Sequence, residues 1–200
     1  MLKKKFENYL YYALPAIALY FLLHSLYIKD YNYTTFALLA FVPTLVPFAL
    51  KRKFKMNLPW LVTLFIAVAF LFHVVGNVFG YNRLFYPVYD KIAHLISSMA
   101  IAILAFFSAI ILDRYAIIKM DSRAILLSVI NLTMILGIFW EIGEFLSDHF
   151  LGMQTQLSST DTAWDLIFDL VGCSTVGAIG YIYLKKKPKE DLFMDFLSKS

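Results

Sequence analysis

Hydrophobic residues along this chain fall in six blocks, roughly 8–28, 33–50, 58–80, 91–112, 124–147 and 161–184, separated by short polar or basic stretches. Each block is about twenty residues long, the length an α-helix needs to cross about 30 Å of hydrocarbon. The pattern predicts an all-α polytopic membrane helix bundle with six transmembrane helices. Residues 1–184 read as a single transmembrane domain, and residues 185–200 as a short cytoplasmic tail able to form an amphipathic helix. The second block, "YTTFALLAFVPTLVPFAL", carries Pro43 and Pro47 and is expected to kink. The basic, apolar start resembles a secretory signal, but its apolar run is too long for one, so it reads as a retained first helix.

Composition agrees with this reading. Apolar residues make up 60% of the chain and charged residues only 16%, too few charges to cover a soluble domain of 200 residues. The net charge of +4 comes from short basic clusters between the blocks, which suit anionic lipid headgroups and give no nucleic-acid-binding pattern. The expected partners are therefore membrane lipids. Cys173 is the only cysteine, which excludes a disulfide framework.

Charge also orients the spans. Lys3–Lys5, "KRKFK" (51–55), Arg114, Lys119, Arg123, "KKKPK" (185–189) and Lys199 put fifteen of the eighteen basic residues on one side. The positive-inside rule makes that side, with both termini, cytoplasmic, and the chain a multi-pass protein of the cell membrane. Tyrosines and tryptophans near the span ends suit interfacial belts, and the aromatic loop "YNRLFYPVYDK" (81–91) suits the interface itself. No internal repeat of the kind found in many transporters is evident.

With the orientation set, the polar residues inside the spans can be placed by depth. "DTAWDLIFDLVG" (161–172) spaces Asp161, Asp165 and Asp169 four residues apart, so they share a helix face and descend about 12 Å from the outer surface. "WEIGEFLSD" (140–148) puts Glu141, Glu144 and Asp148 on another face. "YDKIAHLISS" (89–98) pairs Asp90 with His94, followed by Ser97 and Ser98, and His73 pairs with Asn77 in the third span. All four histidines and seven of the fourteen acids fall in or beside the outer half of the membrane.

Several of these have simpler readings. Asp90 and Asp161 stand in the first turns of helices, where carboxylates cap free N–H groups, and Ser158 with Asp161 fits a capping box. Asp148 and His149 suit the water interface, His24 suits interfacial packing, and His73 could bond a neighbouring helix. Glu141, Glu144, Asp165 and Asp169 resist such readings, because an acid near mid-span costs about 2.5–3.5 kcal/mol on insertion scales. Only Arg83 and Lys91, at the rim, are cations that could reach down to them. The acids must otherwise be protonated, hydrogen-bonded to one another or to His94 and His73, hydrated, or bound to a cation. Glu141, Glu144, Asp165, Asp169 and His73 form the candidate metal set, of a type suited to Mg²⁺, Mn²⁺ or Zn²⁺. His94, Glu141, Glu144 and Asp165 are the candidate catalytic groups. No HxxxH, HExxH or paired-cysteine signature occurs, and a nucleophile–base pair of Ser97 or Ser98 with His94 is a weak alternative.

"YDKIAH" (89–94), "WEIGE" (140–144), "FLGMQ" (150–154) and "DTAWDLIFDLVG" together resemble the motifs of the YjdF-like family of bacterial and archaeal inner-membrane proteins. Their order is also similar to the broader VanZ-like proteins, although the arginine those carry before the last helix is absent from 148–160. The resemblance covers about residues 85–180 and implies a site at Asp90, His94, Glu141, Glu144, Gln154, Asp161, Asp165, Asp169 and Gly172. It implies no particular reaction. Three functions fit the residues: a metal-assisted hydrolase or transferase on a lipid or lipid-linked headgroup, a proton- or cation-coupled transporter or channel, and a non-catalytic envelope protein that binds a headgroup or partner.

Overall fold

In a computed structural model the described residues are 2–54, 58, 60–115, 117–153, 155–187, 189 and 191. Among them all regular structure is helical: α1 (Leu2–Tyr27), α2 (Tyr31–Phe54), α3 (Trp60–Val78), α4 (Tyr81–Leu84), α5 (Val88–Arg114), α6 (Ser122–Leu151) and α7 (Ser159–Lys186). Four stretches are long and apolar enough to cross a membrane: Tyr33–Lys53, Val88–Arg114, Ser122–Phe150 and Ser159–Lys186. The apolar parts of α1 and α3, Tyr12–Tyr27 and Val62–Gly76, are shorter. The tail's expected amphipathic helix lies almost wholly outside the described residues.

The helices group into two compact units, one running to Tyr89 and the other spanning Asp90–Lys189. In the first, α1, α2 and α3 pack on one another. α2 runs as one helix through Pro43 and Pro47, and Pro47 is fully buried. Tyr89 lies flat on Phe72, with ring centroids 4.3 Å apart, and its hydroxyl donates to the Phe72 carbonyl at 2.8 Å. Gly76 makes room for that ring, since a Cβ there would collide with it. The interfacial loop of the sequence reading is thus partly structured by α4 and by this aromatic contact.

The second unit is built from α5, α6 and α7. Asp121 caps α6 by accepting from the Ala124 N–H at 2.7 Å, and Gly152 ends it at φ 65°, a left-handed value that glycine takes without strain. Ser158 caps α7 by accepting from the Asp161 N–H at 3.1 Å. α5 and α7 run parallel in constant register. Lys91 meets Asp161 and Asp165, His94 meets Asp169, Ser98 meets Gly172, and Phe106 meets Gly180. α6 runs the other way beside α7, with Gly137 opposite Asp169 and Leu126 opposite Gly177.

The second unit's polarity is inverted relative to a soluble protein. Its outward surface carries Ile138, Phe139, Ile142, Phe145, Ile167, Val171, Ile179 and Ile182, while Asp161, Asp165 and Asp169 are buried. Water would penalise both features, whereas a hydrocarbon surround favours the first and forces the second inward.

Candidate functional site

The buried polar groups of the second unit gather at one end of the α5–α7 seam. Lys91 sits at their centre. Its ammonium donates to Asp161 Oδ1 at 2.5 Å, Asp165 Oδ1 at 2.6 Å and Asp90 Oδ2 at 3.0 Å. One turn along α5, His94 Nδ1 lies 3.3 Å from Asp169 Oδ1. Its Nε2 faces Asp165 Oδ1 at 3.7 Å and Glu141 Oε1 at 3.8 Å. Asp165 therefore joins two half-sites, one around the ammonium and one around the imidazole.

Helix periodicity explains the assembly. Lys91, His94 and Ser98 recur at i, i+3 and i+7 on α5, and Asp161, Asp165 and Asp169 recur every fourth residue on α7. Two such stripes on parallel helices interdigitate as a ladder. Glu141 comes to it from α6, where Gly137, one turn away, gives Asp169 room: a Cβ there would stand 2.5 Å from Asp169 Oδ2. Glu141 is only 5% exposed, and neither of its carboxylate oxygens makes a hydrogen bond. The Thr162 hydroxyl accepts from Gln156 Nε2 at 2.8 Å and keeps its own hydrogen to donate.

Beyond this end the seam becomes apolar. Ser97 and Ser98 return their hydroxyls to carbonyls of their own helix. Below them Ala102, Ala105, Phe106, Ala109 and Ile110 are buried, and Gly180 lets the Phe106 ring close on α7. Such small-residue packing brings membrane helices together.

The candidate residues fare differently. Asp90, His94, Glu141, Asp161, Asp165 and Asp169 come together. The first-turn acids hold a lysine: the carboxylates of Asp161 and Asp90 bond Lys91, while Ser158 caps α7 at the Asp161 N–H as the capping box requires. Glu144 is half-buried on α6, and its carboxylate accepts from Trp140 Nε1 at 3.0 Å. His73 is half-buried on α3, in the first unit. Gln154 lies outside the described residues. Ser97 and Ser98 donate their hydroxyls to backbone carbonyls of α5.

Sequence reasoning left Lys91 at the rim, where it was one of two cations able to reach down. The structure makes it the central cation. The signal was present, because Lys91 precedes His94 by three residues and so shares its face. Asp148, read as solvated, has a structural task instead: it accepts from the Thr155 N–H and Gln156 N–H, each at 2.8 Å, and from the Thr155 hydroxyl at 2.7 Å. Asp148→Ala is expected to cost about 1–3 kcal/mol by orphaning those donors. Hydrogen exchange should speed up in the loop after Gly152 and stay unchanged along α5.

Among the described residues, Asp90, His94 and Asp165 each offer one ligand atom to a common metal position, these atoms lying within 4.8 Å of one another. Carboxylates with one imidazole suit borderline divalent ions.

Comparison with known proteins gives the family and no reaction. A family model described as "Predicted membrane protein (DUF2238)" matches residues 9–186. An uncharacterised protein of Thermotoga maritima is 36% identical over 119 residues, 58% of this chain and 58% of its own length. The chain thus matches little more than half of that relative. No solved structure matches. The family match reaches across the first two helices, where the YjdF-like motifs contributed nothing; it agrees with that likeness and adds no support for the VanZ-like one.

Proposed function

The chain belongs to the DUF2238 family of predicted membrane proteins, and we propose that its second unit is a membrane-embedded enzyme, a metal-assisted hydrolase or transferase acting on a lipid or lipid-linked headgroup. One observation carries this reading: Glu141 is buried without a hydrogen-bond partner beside His94 and Asp165, at the polar end of an otherwise apolar seam. An unpaired buried carboxylate costs several kcal/mol unless something binds it, and sites that bear such a cost are commonly functional.

In this reading α1 and α3 join the four long helices as spans, and both termini are cytoplasmic by the positive-inside rule. The polar end then lies in the outer half of the membrane, at headgroup depth. A bound cation supplies charge to polarise a phosphoryl or carbonyl oxygen. Lys91, held by three aspartates, keeps Asp165 in place, and Glu144, one turn from Glu141, is the carboxylate placed to move a proton.

A transporter or channel would need the polar path to continue across the membrane. The buried alanines and the Phe106–Gly180 contact argue against such a path within this unit. A non-catalytic headgroup binder is separated by turnover. The test is the purified full chain in liposomes of mixed phospholipids and polyprenyl phosphates, with Zn²⁺ or Mn²⁺, followed by mass spectrometry. Time-dependent loss of one headgroup class, falling at least 100-fold in Glu144→Gln, is the expected result. Unchanged lipids alongside proton or cation flux would sink the enzymatic reading in favour of transport.

A further inference from the structure

We propose that the end of the second unit remote from the acid ladder binds an anionic phospholipid, its phosphodiester held by Lys119, Arg123, Lys185, Lys186 and Lys187. The enzymatic reading is not needed for it, since the residues of that reading stand at the other end of the α5–α7 seam.

Helix length sets the depth. α5 and α7 are 27 and 28 residues long, about 40 Å at about 1.5 Å per residue, which matches a bilayer together with its headgroup regions. The C-terminal ends of both helices, and the start of α6 beside them, therefore stand among headgroups. The loop that joins α5 to α6 leaves Ile117 and Ile118 65% and 51% exposed. Two adjacent isoleucines at a loop tip are unfavourable in water and suit the boundary between acyl chains and headgroups.

The loop is tied from three sides. The Ile117 N–H donates to the Leu112 carbonyl at 3.0 Å, and the Met120 N–H donates to Asp113 Oδ1 at 2.7 Å. Lys189, just beyond α7, donates to Asp113 Oδ2 at 2.7 Å and also to the Met120 carbonyl. One carboxylate and one ammonium thus fasten the start of the loop, its end and the α7 extension together.

These bonds also leave an excess of positive charge. Asp113 is committed to Lys189 and the loop backbone, and Asp121 accepts from the Ala124 N–H as the cap of α6. Lys119, Arg123, Lys185, Lys186 and Lys187 are all exposed. The ammoniums of Lys185 and Lys187 lie 5.5 and 5.8 Å from the ring centroids of Tyr181 and Tyr183, one turn back along α7. They are drawn toward the membrane side, to the depth of a lipid phosphate. A soluble phosphate would meet the same cations, but only a lipid also covers the two isoleucines.

The experiment uses the full chain in neutral detergent with phosphatidylcholine, titrated with phosphatidylglycerol and followed by native mass spectrometry. Phosphatidylglycerol should be retained at least about tenfold more tightly than phosphatidylcholine. Each cation at an anionic surface contributes about fivefold, so Lys119→Gln with Arg123→Gln should weaken retention by about tenfold or more. Both side chains are exposed, so the double variant should keep the parent's circular dichroism. Arg52→Gln with Lys53→Gln removes the same charge from exposed positions of the first unit and should leave retention nearly unchanged. Asp113→Asn separates a built site from plain charge attraction. It makes the chain more basic, which would strengthen unspecific attraction, whereas release of the loop should weaken retention several-fold. Equal retention of the two lipids, equal loss in the two double variants, or tighter binding in Asp113→Asn would each overturn the site. Displacement of the lipid by soluble glycerol phosphate would overturn it as well, because the isoleucines would then contribute nothing.

Discussion

Lys91→Met is expected to destabilise the second unit by about 3–5 kcal/mol, the usual consequence of removing one partner from a buried ion pair. The side chain is 9% exposed, and its ammonium is the donor to Asp161 and Asp165, themselves 6% and 4% exposed. Methionine fills nearly the same volume, so the loss is electrostatic: two buried carboxylates remain without their counterion. Unfolding in detergent, followed by circular dichroism, should show the lower midpoint. A second change separates charge from packing. Asp161→Asn in the Lys91→Met background removes one stranded carboxylate and should recover part of the loss, while Asp161→Asn alone should cost stability. A Lys91→Met variant as stable as the parent would show that the ladder is not held by this ammonium.

Gly172→Val should be comparably damaging by a steric route. A Cβ at position 172 would collide with Ser98 Oγ and stand 2.8 Å from the Leu95 carbonyl oxygen and 3.3 Å from Met99 Cγ. Ser98 could rotate, but the Leu95 carbonyl belongs to α5 itself, so the helices must part. Overpacking of this kind costs about 1–3 kcal/mol, and a β-branched residue should reach or pass the upper end. The separation would also lengthen the His94–Asp169 contact one turn away, so Tm should fall further than the steric clash alone requires. Gly172→Ala is the milder form, and Ser98→Ala should rescue it in part by removing the nearest of the three obstacles. Full rescue would mean that the backbone approach is unimportant, contrary to the parallel register of α5 and α7.

Gly172 illustrates what kind of information the chain carries in one dimension. It entered the sequence reading through motif resemblance, with no mechanical reason attached, and the structure supplies one. The acids of α7 were legible because their spacing is a local property of the helix. Glu144 and Asp148 were legible as a face, and Asp148 was misjudged in role. Glu144's partner, Trp140, stands one turn away on the same helix, as periodicity allows, whereas the Thr155–Gln156 backbone that meets Asp148 is brought there by loop geometry that no periodicity encodes.

Block length and apolar content by themselves determined that this is a helical membrane protein with buried acids on defined helix faces, because hydrocarbon thickness and the 3.6-residue turn are constant across proteins. The tertiary structure alone decided that Lys91 leaves the rim to hold three aspartates, that Asp169 takes His94 Nδ1, and that Glu141 is left without a hydrogen-bond partner. Those outcomes depend on the sliding register between helices. Register is set by where a glycine lets a neighbouring helix come close, its backbone at Gly172 against Leu95 and a side chain at Gly137 against Asp169. A slip of one turn would move every rung by about 5.4 Å, leaving the same faces with different partners.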